Sequence, residues 1–197
     1  MKEKIKNIIS ESIAVKNKVL ADEKLLETVE KVSNLIVAAL KNNKRIYFCG
    51  NGGSAADAQH LAAEFSGRFY TDRHALPAEA LHCNTSYLTA VANDYSFDVV
   101  YSRLIRGIAF EGDVLIGLST SGNSKNISLA FETARDKKVV TIGFTGETGG
   151  NMKDLSDYLI NVPSKDTPRI QESHILIGHI ICQLVEEKYF APNSTGE

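Results

Sequence analysis

Short apolar, β-rich runs at residues 44–49, 113–118, 139–144 and 158–162 alternate with stretches of helical length and helical spacing. Runs this short and this apolar suit strands buried on both faces of a sheet. Parallel strands need crossover connections of a dozen or more residues, and helices are the usual ones. The alternation therefore predicts βαβ units and a parallel sheet. Residues 77–81 form a weaker strand candidate, and helices are expected over 54–67, 86–92, 97–108, 123–137 and 169–189. The expected fold is α/β, a three-layer α/β/α arrangement with a parallel sheet flanked by helices.

Ahead of the first strand, residues 3–20 place Ile5, Ile8, Ile9, Ile13 and Leu20 near helical spacing. Residues 22–40 do the same with Leu25, Leu26, Val29, Val32, Leu35, Ile36 and Leu40. Residues 1–42 thus read as a helical hairpin, an N-terminal arm whose apolar faces need a partner surface on this chain or on a second copy. At 197 residues the chain suits one domain over 1–197, with a frayed tail at 191–197.

Lys and Arg total 22 against 24 Asp and Glu, a formal net charge of −2, without the basic footprint of a general nucleic-acid binder. No apolar run approaches the roughly 20 residues of a membrane span, and the charged, interrupted N-terminus does not have the pattern of a signal peptide. Cys49, Cys83 and Cys182 lie far apart with no CxxC pair, which suits free thiols in a reducing compartment. A cytoplasmic protein with no membrane or nucleic-acid partner is expected.

Two strand-to-helix turns carry the chemistry. The first, residues 49–57, contains Gly50, Asn51, Gly52, Gly53 and Ser54. It lacks the Gly-Lys-Ser/Thr ending of a nucleotide-triphosphate loop and the glycine spacing of a dinucleotide loop. Ser54 is expected where the following helix begins, as its N-cap. The second turn, Ser119-Thr120-Ser121-Gly122-Asn123-Ser124, puts four hydroxyls around a glycine before a helix. Hydroxyls, free backbone N–H groups and the helix dipole together favour an anion. With Lys125 the nearest cation, the loop suits a phosphate monoester better than a triphosphate with Mg²⁺.

His60 and Glu64 are four apart on the expected helix 54–67, hence on one face. In isolation such a pair is more often a surface ion pair than a metal half-site or an acid/base couple. On the closing helix, Arg169, Gln171, Glu172, His174 and His179 interrupt an apolar pattern, and buried polar groups of that kind need partners.

Together the two loops resemble the sugar isomerase (SIS) domain family, whose members hold the phosphate of a phosphosugar on such a serine-threonine loop. The resemblance covers nearly the whole chain, arm included. The more specific run Arg169-Ile170-Gln171-Glu172-x-His174, with His60, Glu64 and His179, is similar to the phosphoheptose isomerases within it. That resemblance implies a metal site of His60, Glu64, Gln171 and His179 holding one Zn²⁺ per subunit, with Glu64 and His179 as catalytic pair. It implies substrate contacts at Asn51, Gly52, Gly53, Ser54, Glu64, Asn93, Asp94, Ser119, Thr120, Ser121, Ser124 and Gln171. Pro168 departs from the pattern where some members carry an acidic residue.

The implied activity is conversion of sedoheptulose 7-phosphate to D-glycero-D-manno-heptose 7-phosphate, the first step of nucleotide-activated heptose biosynthesis for lipopolysaccharide, by a homotetramer. The alternative is a non-catalytic SIS-domain protein of the type that binds the bacterial replication initiator. Those relatives lack the glutamate matched by Glu64, which favours the enzyme. Gln171 and His179 are eight residues apart, about 12 Å along a helix axis, so a metal shared by both suggests ligands from two subunits.

Overall fold

The computed structural model describes residues 1–191, so the expected frayed tail lies, from residue 192 onward, outside the described residues. The arm forms as two helices, α1 (Lys2–Leu20) and α2 (Glu23–Lys41). Asp22 separates them, and its carboxylate accepts the Leu25 amide at 3.0 Å as the N-cap of α2. Then follow β1 (Ile46–Gly50), α3 (Gly53–Ser66), β2 (Ala78–Ala80), α4 (Thr85–Asp94), α5 (Val100–Ile108), β3 (Val114–Ser119), α6 (Lys125–Asp136), β4 (Val140–Thr145), β5 (Tyr158–Asn161) and α7 (Thr167–Tyr189). The stretch expected as one helix over 97–108 divides into a 3-10 turn, Phe97–Val99, and α5. A second 3-10 turn, Gly150–Asp154, was not expected from the sequence.

All five strands pair in parallel, in the order β2-β1-β3-β4-β5. Alternate strand residues feed two separate cores. Ile46 and Phe48 of β1, with Val114, Ile116 and Leu118 of β3, pack against α2, α3 and α7. Tyr47, Cys49 and Leu115 point the other way, toward α5 and α6. Helices therefore cover both faces, as the apolar strand pattern requires.

The order reverses between β1 and β3, because β1 leads to β2 on one side and β3 leads to β4 on the other. At such a switch point the connecting loops diverge and leave a crevice at the carboxyl ends of the strands. The glycine loop follows β1 and the serine loop follows β3. A groove of about 390 Å³ lined in part by Leu35, Val139, Val140 and Tyr158 lies at the opposite, amino end of the sheet, away from both loops.

α7 is fixed to the sheet by a fully buried imidazole. His174 places Nε2 3.1 Å from the Thr145 carbonyl at the end of β4, and its ring lies edge-on to Phe144. Burial pushes its pKa down to about 4, although the bond to Thr145 opposes this. An unfolded histidine titrates near about 6.5, so between the two values the folded state binds fewer protons. The stability is complete above the unfolded pKa and is lost as pH falls toward the folded one. Between about pH 7 and pH 5 the loss amounts to about 2 kcal/mol. Urea unfolding of the native chain and of His174→Gln at both pH values measures it. The variant should show the shallower pH dependence, and equal slopes would remove His174 as the cause.

Candidate active site

The glycine loop is built around two close contacts. Gly52, with φ +54°, is the N-cap of α3. Ser54, expected in that role, instead sits inside the first turn and is buried. A side chain there would need a left-handed backbone, which glycine alone adopts at no cost, so the cap fell to Gly52. The loop is then tied down on both sides. Tyr101 donates its hydroxyl to the Gly50 carbonyl. The carboxamides of Asn51 and Asn126 exchange two hydrogen bonds of 2.9 Å. Asn126 is buried in the first turn of α6, so this amide pair couples the glycine loop to the helix that follows the serine loop.

In the serine loop, Ser119 Oγ lies 2.8 Å from Ser124 Oγ and 3.5 Å from Ser121 Oγ. Ser121 also accepts the Asn123 amide at 3.2 Å. Ser124 is the N-cap of α6, yet its hydroxyl makes no capping bond to the helix. Instead it shares a hydrogen bond with the Ser119 hydroxyl, which gathers the hydroxyls at the mouth of the loop beside the helix N-terminus. Thr120 lies between Ser119 and Ser121, and its carbonyl accepts the Gly146 amide at 2.9 Å. Lys125 is drawn to Asp98 at 2.7 Å, so the neutral character of the cradle persists in the fold.

The second cluster lies where α3 meets α7. Gly53 faces Gln171, and two turns later on both helices His60 faces His179 and Leu61 faces Gly178, so the helices run parallel. His60 Nε2 is 2.9 Å from His179 Nε2 and 3.3 Å from Glu64 Oε1. One donor atom from each of the three residues falls within 4.8 Å of the others. Tetrahedral zinc holds nitrogen ligands at about 2.0–2.1 Å, which places neighbouring ligand atoms about 3.3 Å apart. Separations of 2.9 and 3.3 Å lie near that value, and two imidazoles with a carboxylate are the donor set of a zinc site that leaves its fourth position open. Burial lowers the His179 pKa, the adjacent His60 lowers it further, and Glu64 opposes both. A neutral imidazole is the form that binds metal.

Gln171 stands apart from this trio. A Cβ built on Gly53 would come 2.6 Å from Gln171 Nε2, so its carboxamide lies over the glycine loop. His60 is two turns further along α3. One chain therefore brings three of the four expected ligands together and leaves the fourth at the other end of the helix pair. Asn93 and Asp94 end α4, are exposed, and bond to each other at 2.9 Å.

The specific run on α7 proves to have two duties. Arg169 and Glu172 pair with each other and fasten the arm. Glu172 accepts the Ser12 hydroxyl at 2.6 Å, and Arg169 donates to the Ile8 carbonyl at 3.3 Å. Asn126 escaped sequence reasoning, because an amide in the first turn of a helix carries no local signature of its partner.

Comparison with known proteins agrees with this architecture. The SIS domain family matches residues 8–146. A phosphoheptose isomerase of Aneurinibacillus thermoaerophilus is 54% identical over 190 residues, covering 96% of this chain and 96% of that protein. Among solved structures, phosphoheptose isomerase GmhA from Neisseria gonorrhoeae superposes with a TM-score of 0.89 at 41% identity, covering 94% of this chain and 98% of the other. A phosphoheptose isomerase from Francisella tularensis gives a TM-score of 0.90 at 32% identity, covering 94% and 97%. With the sheet order, the two loops and the His-Glu-His cluster already in place, these similarities establish that the chain belongs to the phosphoheptose isomerase family of SIS-domain proteins.

Proposed function

We propose that this chain is an aldose–ketose isomerase that converts sedoheptulose 7-phosphate to D-glycero-D-manno-heptose 7-phosphate in the cytoplasm. The observation that carries the reading is the convergence of His60, Glu64 and His179 on a scaffold whose serine loop suits a phosphate monoester. A non-catalytic sugar-phosphate binder would have no use for a carboxylate 3.3 Å from one of two facing imidazoles.

In this reading Ser54, Ser119, Thr120, Ser121 and Ser124 hold the phosphorylated end of the substrate. Asn51, Gly52, Gly53, Asn93, Asp94 and Gln171 contact the rest of the sugar. Binding remote from the reacting carbons orients them and lowers the entropy cost of reaction. The reaction moves one proton between adjacent carbons. Glu64 and His179 act as the acid/base pair. Glu64 takes the proton from the carbon beside the carbonyl, and an enediolate forms as the hydroxyl proton passes between the two oxygens. The pair then returns the abstracted proton to the other carbon, which leaves both groups as they began. His60, Glu64 and His179 would hold one Zn²⁺ per subunit, which when bound supplies positive charge where the oxyanion develops.

A homotetramer belongs to the same reading. Ile5, Ile8, Ile9 and Ile13 of α1 are exposed, as are Leu176 and Ile180, which flank His179 on α7. A second copy covering this face would bury that apolar surface and bring another Gln171 within reach of the metal trio, completing the ligand set between subunits. Light scattering at micromolar concentration should report four copies. A stable monomer would remove both the assembly and the shared site.

The function itself is tested by incubating zinc-loaded protein with sedoheptulose 7-phosphate and identifying the product by NMR. Native protein should form the aldose phosphate, and chelation should abolish turnover. Glu64→Gln keeps the shape and a metal-capable oxygen but loses the base. Its turnover should fall by roughly 10²–10⁴, the range for loss of a general acid–base group. Native protein without turnover would move the assignment to a binding protein, and an active Glu64→Gln would remove Glu64 as base.

A further inference from the structure

Glu186 lies on α7 two turns beyond His179 and is only 4% exposed. A buried carboxylate is costly unless its oxygens are fully paired. Here they accept the backbone amides of Phe69, Tyr70 and Thr71 at 3.2, 2.9 and 2.9 Å, and Arg73 Nε at 2.9 Å. The Arg73 side chain is buried to a similar degree, and its remaining donors turn to the end of α3 and the loop beyond it. Nη2 donates to the Glu64 carbonyl at 2.7 Å, and Nη1 to the Phe65, Gly67 and His74 carbonyls at 2.7, 2.9 and 3.1 Å.

These contacts reach the metal trio by two routes. The last carbonyls of a helix have no partner within it, and Arg73 satisfies two of them on α3 while placing its charge at the negative end of the helix dipole. One of the two belongs to Glu64. The loop held by Glu186 carries Phe69, whose ring centroid lies 5.7 Å from that of His179. We propose that Arg73 and Glu186 are positioning residues for the active site: Arg73 fixes the turn that presents Glu64, and Glu186 fixes the Phe69 ring that bounds His179. This rests on the function proposed above. A buried ion pair contributes little net stability compared with apolar packing, whereas groups that orient metal ligands affect metal affinity by roughly 10–100-fold.

The test compares native protein, Glu186→Gln and Phe69→Leu by Zn²⁺ affinity in chelator competition, the visible spectrum with Co²⁺, steady-state kinetics and urea unfolding. Glu186→Gln should weaken Zn²⁺ binding at least about tenfold, shift the Co²⁺ spectrum and lower kcat with KM little changed. Phe69→Leu leaves the ion pair intact, so it should keep near-native stability while still weakening Zn²⁺ binding several-fold and shifting the Co²⁺ spectrum. Lowered stability with native Zn²⁺ affinity, spectrum and kcat would reduce the pair to a structural staple and overturn the proposal. If Glu186→Gln does not fold, Phe69→Leu decides alone: native affinity and spectrum overturn the positioning role. Native protein that neither binds Zn²⁺ nor isomerises the sugar phosphate would instead defeat the proposed function, and the positioning role with it.

Discussion

Helices α3 and α7 lie side by side because a glycine on each makes room for a side chain of the other. A Cβ on Gly178 would come 2.6 Å from Leu61, and one on Gly53 would meet Gln171 at the same distance. At the buried Gly178 a close-packed interior takes up that overlap only by a shift of Leu61 or of the helices, whereas at the exposed Gly53 the flexible Gln171 carboxamide would swing aside. At the observed separation, His60 and His179 bring their Nε2 atoms to 2.9 Å, and Glu64 joins them from one turn further along α3. The proposed chemistry depends in part on the fit of Leu61 against Gly178, two residues that have no chemistry of their own.

The sheet supplies the other half of the arrangement. Reversal of strand order between β1 and β3 opens the glycine and serine loops onto one crevice, and the Asn51–Asn126 amide pair locks their relative position. Each carboxamide gives one N–H and one oxygen lone pair to the other, so two bonds in parallel hold the two loops at a fixed spacing. The glycine loop leads into the first turn of α3, while His60 and Glu64 of the metal trio stand on its last two turns.

Much of this was legible in the residues. Strand identity was plain because runs such as Val114–Ser119 are apolar on both faces, and the helix pattern followed from spacing alone. His60 and Glu64 were on one face by their interval. What stayed hidden was long-range. The N-cap of α3 moved from Ser54 to Gly52 because backbone geometry overrode side-chain preference. The run around Gln171 did not disclose that Arg169 and Glu172 serve the arm while Gln171 faces the glycine loop. Arg73 and Glu186, more than a hundred residues apart, could not be joined from sequence patterns that extend over a helix turn.

The central claim is that parallel packing of α3 and α7 builds a metal site from His60, Glu64 and His179 of one chain. Anomalous diffraction at the zinc edge from crystals grown with Zn²⁺ tests it most directly. The account predicts an anomalous peak bounded by His60 Nε2, His179 Nε2 and a Glu64 carboxylate oxygen. A peak that lies elsewhere, or two imidazoles still bonded to each other with no ion between them, would contradict it.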